Sequence, residues 1–150
     1  MDKKTQKIID ELIVSYAMEL ETVENYIAAS VNLDGVRSEV IKKILQADVQ
    51  EELTHAQTLA NRIKTLGGTV PGSMALKKGQ KFLQPLKDTT DIVSVIKGVI
   101  EAEEGAIAQY KKVIKICDGH DYVTQDMVIG LLSGEEDHRS EFIGFLKEYT

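Results

Sequence analysis

The sequence predicts an all-α fold, an antiparallel four-helix bundle with a long crossover between helices 2 and 3. Three observations carry this. Apolar residues recur at three- and four-residue steps along four long stretches, the period of a helix with one buried face. Both prolines, Pro71 and Pro85, fall in the segment between the second and third stretches, and none interrupts a periodic run. Each stretch also carries a core-facing glutamate inside its apolar stripe: Glu19, Glu52, Glu103 and Glu135.

The first helix is expected from about Lys3 to Val31, with Ile9, Leu12, Tyr16, Val23 and Tyr26 on its inner face. Glu19 falls on that stripe, whereas Glu21 and Glu24 do not and read as solvated charges. Asn32-Leu-Asp-Gly35 stops the helix, since Gly, Asn and Asp tolerate the left-handed backbone of a helix end. So short a connection implies an antiparallel neighbour.

That neighbour runs from about Arg37 to Leu66, steps through Ile41, Leu45, Asp48, Glu52, His55, Leu59 and Ile63, and ends at Gly67-Gly68. Thr69 to Lys87 reads as a crossover containing one short helix, its lysines solvated. A connection of that length returns the chain to the other end, so the third helix runs parallel to the second. Asp88-Thr-Thr-Asp91 supplies N-capping side chains for a helix from about Thr90 to Ile116. Its stripe is Ile92, Ile96, Val99, Glu103, Ala106, Tyr110, Ile114 and Cys117, while Glu101 and Glu104 face solvent. After the break at Asp118-Gly-His120-Asp121, Asp121 caps a fourth helix reaching about Glu148, with Val128, Leu131, Glu135, His138, Phe142 and Phe145 inward. His120, in the break, reads as a surface histidine.

Two of the stripes repeat one pattern, Glu52-Leu-Thr-His55 and Glu135-Glu-Asp-His138. Three-residue spacing sends both side chains of each pair from the same helix face. A surface pair belongs on the polar stripe, but these lie on the apolar one. An uncompensated buried carboxylate costs about 3–5 kcal/mol, so a positive charge is required. Metal ions supply it, and Glu19, Glu52, His55, Glu103, Glu135 and His138 make six ligand positions, which also serve as the catalytic set. Four carboxylates offset two divalent cations. Without metal they repel one another and hold protons, so metal binding is expected to stabilise the fold and release protons. Oxygen and nitrogen donors suit iron, manganese or zinc; two iron ions per chain are favoured because each gives one electron to a bound oxygen species. Tyr26, two turns beyond Glu19, is placed to hydrogen-bond a ligand carboxylate, to carry a transient radical, or to remain a core tyrosine with a satisfied hydroxyl.

At 150 residues the chain is read as one domain, 1–150, with 43% hydrophobic and only 5% aromatic residues. A net charge of −6 attracts cations and disfavours nucleic acid. Cys117 is the single cysteine, a small thiol near a helix end, so no intrachain disulfide forms and a reducing, cytoplasmic setting is expected. No stretch reads as a signal peptide or a membrane span.

The sequence resembles the ferritin-like superfamily, and within it bacterioferritin. The resemblance rests on Glu19 with Tyr26, on Glu52-Leu-Thr-His55-Ala, and on His120-Asp-Tyr-Val-Thr-Gln-Asp-Met-Val-Ile followed by Glu135-Glu-Asp-His138. It implies a ferroxidase centre in which the six residues bind two irons, Glu52 and Glu135 bridging them, as in the di-metal carboxylate bundles built from two Glu and two Glu-x-x-His helices. It implies Fe(II) as substrate, oxygen or peroxide as oxidant, and iron storage or detoxification as purpose. Leu53 stands where bacterioferritins carry the haem-ligating methionine, so haem by that route is not expected. The sequence ends at Thr150 without the family's short fifth helix, which leaves a homo-oligomer of dimer or larger-shell size as the expectation. Two alternatives share this scaffold: a DNA-protecting shell like the mini-ferritins, and a rubrerythrin-like di-iron oxidase or peroxidase without a storage cage.

Overall fold

Helix-forming runs and their caps appear where the periodicity places them. The computed structural model describes residues 1–149, and Thr150 lies outside the described residues. Its long helices are α1 (Lys3–Asn32), α2 (Glu39–Thr65), α3 (Ile92–Cys117) and α4 (Tyr122–Tyr149), with 3₁₀ turns at Val36–Ser38 and Ser73–Ala75. Among the described residues there is no β-strand. Aspartates open three of the helices. The carboxylates of Asp2, Asp91 and Asp121 accept from the backbone N–H groups of Thr5 (2.8 Å), Ser94 (3.1 Å) and Thr124 (3.0 Å). The end of α2 closes on Gly67, at φ +92°, where the N–H of Gly68 reaches the carbonyl of Ile63 at 2.9 Å and that of Gly67 reaches Lys64 at 3.0 Å.

Two apolar layers give the helices their directions. One joins the end of α1 (Val23, Tyr26) to the starts of α2 (Ile41, Leu45) and α3 (Ile92, Ile96) and the end of α4 (Phe142). The other joins the start of α1 (Ile8, Leu12) to the ends of α2 (Leu59, Ile63) and α3 (Tyr110, Val113) and the start of α4 (Val128, Leu131). Hence α1 opposes α2 and α3, and α2 runs parallel to α3. Between the layers the interior turns polar, and that band holds Glu19, Glu52, Glu103 and Glu135, each 1–2% exposed.

The crossover corrects one expectation. Glu21 is not a solvated charge: it is buried, and its carboxylate accepts from the backbone N–H of Gly79 (2.9 Å) and of Gln80 (2.9 Å). The loop lacks a strand or helix ladder to satisfy these donors, so α1 supplies an acceptor from its flank. Glu24, Glu101 and Glu104 are exposed as expected, and Lys77, Lys78, Lys81 and Lys87 are solvated. Glu21→Ala is expected to lower stability by about 1–3 kcal/mol, because it strands backbone donors that a charged acceptor now holds. The denaturation midpoint should fall and the crossover should be cut faster by protease, with metal stoichiometry unchanged; an unaltered midpoint would refute the pinning role.

Candidate metal centre

Four helices each deliver a side chain to the polar band, and the spacing within each helix decides which atoms meet. On α2, Glu52 and His55 sit one turn apart, with His55 Nδ1 3.5 Å from Glu52 Oε2. The same nitrogen lies 3.1 Å from Glu135 Oε1 on α4 and 3.7 Å from Glu19 Oε2 on α1. His138 Nδ1, on α4, lies 3.7 Å from Glu52 Oε1 and 3.8 Å from Glu103 Oε1 on α3. The six residues thus form two clusters, Glu19, Glu52, His55, Glu135 and Glu52, Glu103, Glu135, His138, whose ligand atoms fall within 4.8 Å of one another. An ion with oxygen and nitrogen donors at about 2.0–2.2 Å subtends that spread. Glu52 and Glu135 belong to both clusters, so the two positions are adjacent and share their carboxylates.

Whether the residues fit metal can be tested on their unmet valences. Buried polar atoms are almost always paired. Here Glu19 Oε2, Glu52 Oε1, Glu103 Oε2 and His138 Nδ1 are buried with no hydrogen-bond partner. All four belong to the clusters, and all four are Lewis-basic. Cations satisfy the whole set at once.

Protons occupy that role in part when metal is absent. Burial, with Glu135 and Glu52 alongside, holds the Glu103 carboxyl far above the usual carboxylate range, and burial raises Glu135 as well. Burial opposes a charged imidazolium at His55, but hydrogen bonds to Glu135 and Glu52 outweigh it and push the ring up to about 10. His138 is raised too, burial being outweighed by Glu103, Asp48 and Glu51. The metal-free centre is therefore a shared-proton cluster.

Around it stand residues that orient the ligands. Tyr26 donates to Glu103 Oε1 at 2.7 Å, the carboxylate hydrogen bond that its position on α1 allowed. Tyr110, on α3, donates to Glu19 Oε1. This partner was read only as a stripe residue. A signal for it was present: Tyr26 follows Glu19 by seven residues and Tyr110 follows Glu103 by seven, so α1 and α3 carry the same Glu-x₆-Tyr pattern. Each tyrosine serves the glutamate of the other helix, a pseudo-twofold exchange that matches the two Glu-x-x-His pairs. Glu51, also missed, meets His138 Nε2 at 2.8 Å. That bond favours the tautomer with the proton on Nε2, leaving the Nδ1 lone pair facing the cluster. Asp48, a stripe residue given no role, is buried 3.7 Å from the same Nε2. His120 stays outside, bonding Thr5 Oγ1 at 3.2 Å, and Cys117 is fully buried with its thiol pushed up to about 11 by burial.

Comparison with known proteins agrees with this architecture. The chain is 28% identical to the DNA protection during starvation protein of Pyrococcus furiosus, over 91% of this chain and 75% of that protein. It is 36% identical to a bacterial ferritin of Neisseria meningitidis serogroup B, over 63% of this chain and 56% of that protein, so that match spans little more than half of the relative's length. Among solved structures, a dodecameric thioferritin of Bacteroides fragilis, described as bacterioferritin-related, superposes with a TM-score of 0.87 at 23% identity, covering 99% of this chain and 88% of that one. The family model of the ferritin-like domain matches residues 9–150, which spans all four helices and all six clustered residues, and the chain belongs to that family.

Proposed function

We propose that the chain is a ferroxidase that takes up two Fe(II) ions between its helices and oxidises them with oxygen or peroxide, for iron storage or detoxification. The observation that carries this reading is the pair of clusters sharing Glu52 and Glu135, each completed by one histidine and one further glutamate. In it, Glu19 and His55 hold one ion, Glu103 and His138 hold the other, and Glu52 and Glu135 bridge. Two Fe(II) supply two electrons, which with two protons reduce dioxygen to hydrogen peroxide, or hydrogen peroxide to two waters. Manganese and zinc suit the same donors, but zinc has no electron to give.

The chain's own residues do the rest. The tyrosine hydroxyls fix one oxygen of Glu103 and one of Glu19, leaving Glu19 Oε2 towards His55 and Glu103 Oε2 buried without a partner. Glu51 fixes the tautomer and angle of His138. Cation uptake displaces protons from His55, Glu103 and Glu135, and it does so beside the place where oxygen reduction consumes them. The apolar layers above and below keep bulk water away.

Homo-oligomerisation belongs to the same reading. It is supported by the dodecameric relative and by Val31, Val36 and Val40 near the α1–α2 turn, 71%, 90% and 61% exposed. Among the described residues no helix is long and apolar enough to cross a membrane.

Aerobic titration of metal-free protein with Fe(II), followed by Fe(III) absorbance, tests the function. Fast oxidation is expected to saturate near about two ions per chain, then continue slowly with iron still soluble. Saturation without further uptake would favour the rubrerythrin-like reading, and oxidation no faster than the protein-free control would remove the ferroxidase. The Pyrococcus furiosus relative favours a second reading, a DNA-protecting shell. Retardation of duplex DNA at low salt would establish it, against the chain's net charge of −6.

A further inference from the structure

A cleft of about 550 Å³ lies between the crossover, the end of α1 and the start of α3. Its floor is aliphatic, made by Ala29, Leu33, Leu86 and Val95, and Leu33 and Val95 are only 1% and 3% exposed. None of the six clustered metal ligands lines it. A recess of this size, apolar at its base with a few polar groups at its rim, is the usual form of a small-molecule site.

The crossover is braced so that it does not collapse into the cleft. Glu21 fixes its backbone at Gly79 and Gln80. The Gln84 amide donates back to the carbonyls of Gln80 (2.9 Å) and Phe82 (3.4 Å), which holds the next residues in a turn. Among the described residues, Leu83 is the one non-glycine residue with positive φ, at 62°. Its side chain seats on α3, where a Cβ at Gly98 would lie 2.8 Å from Leu83 Cδ2, so glycine there admits the leucine. A leucine in left-handed backbone is strained, and Leu83 forms part of the cleft wall. The cleft is therefore preformed, which lowers the cost of filling it.

The rim selects the charge of the occupant. The hydroxyls of Thr89 and Ser94 are already committed to Asp34 and Asp91, each at 2.6 Å. The side chains of Lys81, Lys97 and Asn32 carry no hydrogen bond or ion pair among the described residues. Glu101 lines the cleft too and pairs with neither lysine. Two ammonium groups against one carboxylate leave a positive rim on a chain whose net charge is −6. We propose that the cleft binds an amphipathic monocarboxylate, its aliphatic tail on Ala29, Leu33, Leu86 and Val95 and its head group between Lys81 and Lys97. Burial of the tail supplies the affinity, and the lysines discriminate by charge.

Isothermal titration calorimetry of the full-length protein, without added metal, tests this with decanoate below its micellar concentration. Decylammonium carries the same tail with the opposite charge, and acetate is the head group alone. Wild type is compared with Lys81→Gln/Lys97→Gln and with Ala28→Phe, which puts a ring into the cleft from α1. Wild type is expected to bind about one decanoate per chain, with decylammonium and the double lysine variant each about tenfold weaker. Acetate should not bind, and Ala28→Phe should lose decanoate. The double variant changes only exposed side chains and decides the matter if Ala28→Phe does not fold. Absence of saturable decanoate binding by wild type would overturn the proposal. So would equal affinity for decylammonium, acetate binding as tight as decanoate, or wild-type affinity in the double variant or in folded Ala28→Phe.

Discussion

Glu52→Gln is expected to abolish rapid Fe(II) oxidation and, in the metal-free state, to melt at a higher temperature than wild type. The two effects have one cause. Glu52 belongs to both ligand clusters, so a neutral amide removes an anionic donor from each ion and unties the pair. Ligand and neighbouring-shell changes at metal sites cost about 10–100-fold, and a shared ligand should reach or exceed the upper end. In metal-free protein the same carboxylate is buried at 1% exposure among three others, with Oε1 unpartnered. Glutamine keeps the shape and removes one of the repelling charges, which should stabilise by about 1–3 kcal/mol. Activity and metal-free stability therefore move in opposite directions, as expected where binding groups are held at the expense of the fold. A variant that loses activity and also unfolds at lower temperature would mean that Glu52 is structural.

Loading with a redox-inert divalent ion such as Zn(II) is expected to raise the melting temperature by an amount that grows with pH. At a thousandfold excess over Kd, binding stabilises by about 4 kcal/mol, which is about 10 °C for a domain of this size. The pH trend comes from the metal-free state. Glu103 and Glu135 have raised folded pKa values, so the folded chain binds more protons than the unfolded one above the ordinary carboxylate range. Stability then falls as pH rises through that interval. His55 is raised to about 10, so its contribution is fully present below the ordinary histidine value and is lost as pH climbs towards 10. Both slopes have the same sign: metal-free protein weakens from mildly acidic to alkaline pH. Metal-loaded protein behaves oppositely, since protons compete with cations for the same atoms. Melting curves with and without Zn(II) at pH 5.5, 7 and 8.5 should diverge; parallel curves would show that the buried groups do not exchange protons for metal.

Much of this centre was legible in the chain because its ligands lie on helices. A helix converts spacing directly into direction, so a carboxylate or imidazole on an apolar stripe announces a buried position before any neighbour is known. Glu19, Glu52, His55, Glu103, Glu135 and His138 all declare themselves in this way, and all six are buried together. Glu21 does not. Its place on the polar flank of α1 predicts water, and only the crossover folding back over it reverses that prediction, through N–H groups at Gly79 and Gln80 that have no other acceptor.

The residues around the ligands divide in the same way. Tyr26 and Tyr110 each sit on an inward stripe, but nothing within α1 or α3 tells which carboxylate a phenol reaches, and the observed exchange crosses between the two helices. Glu51 and Asp48 acquire meaning only because α4 brings Nε2 of His138 against them. Helix positions, caps, crossover and the ligand residues are local properties, dictated by backbone hydrogen bonding and the period of burial along one element. The burial of Glu21, the crossed tyrosines and the two faces of His138 are decided by which helix or loop packs against which, a matter of contacts between residues tens of positions apart.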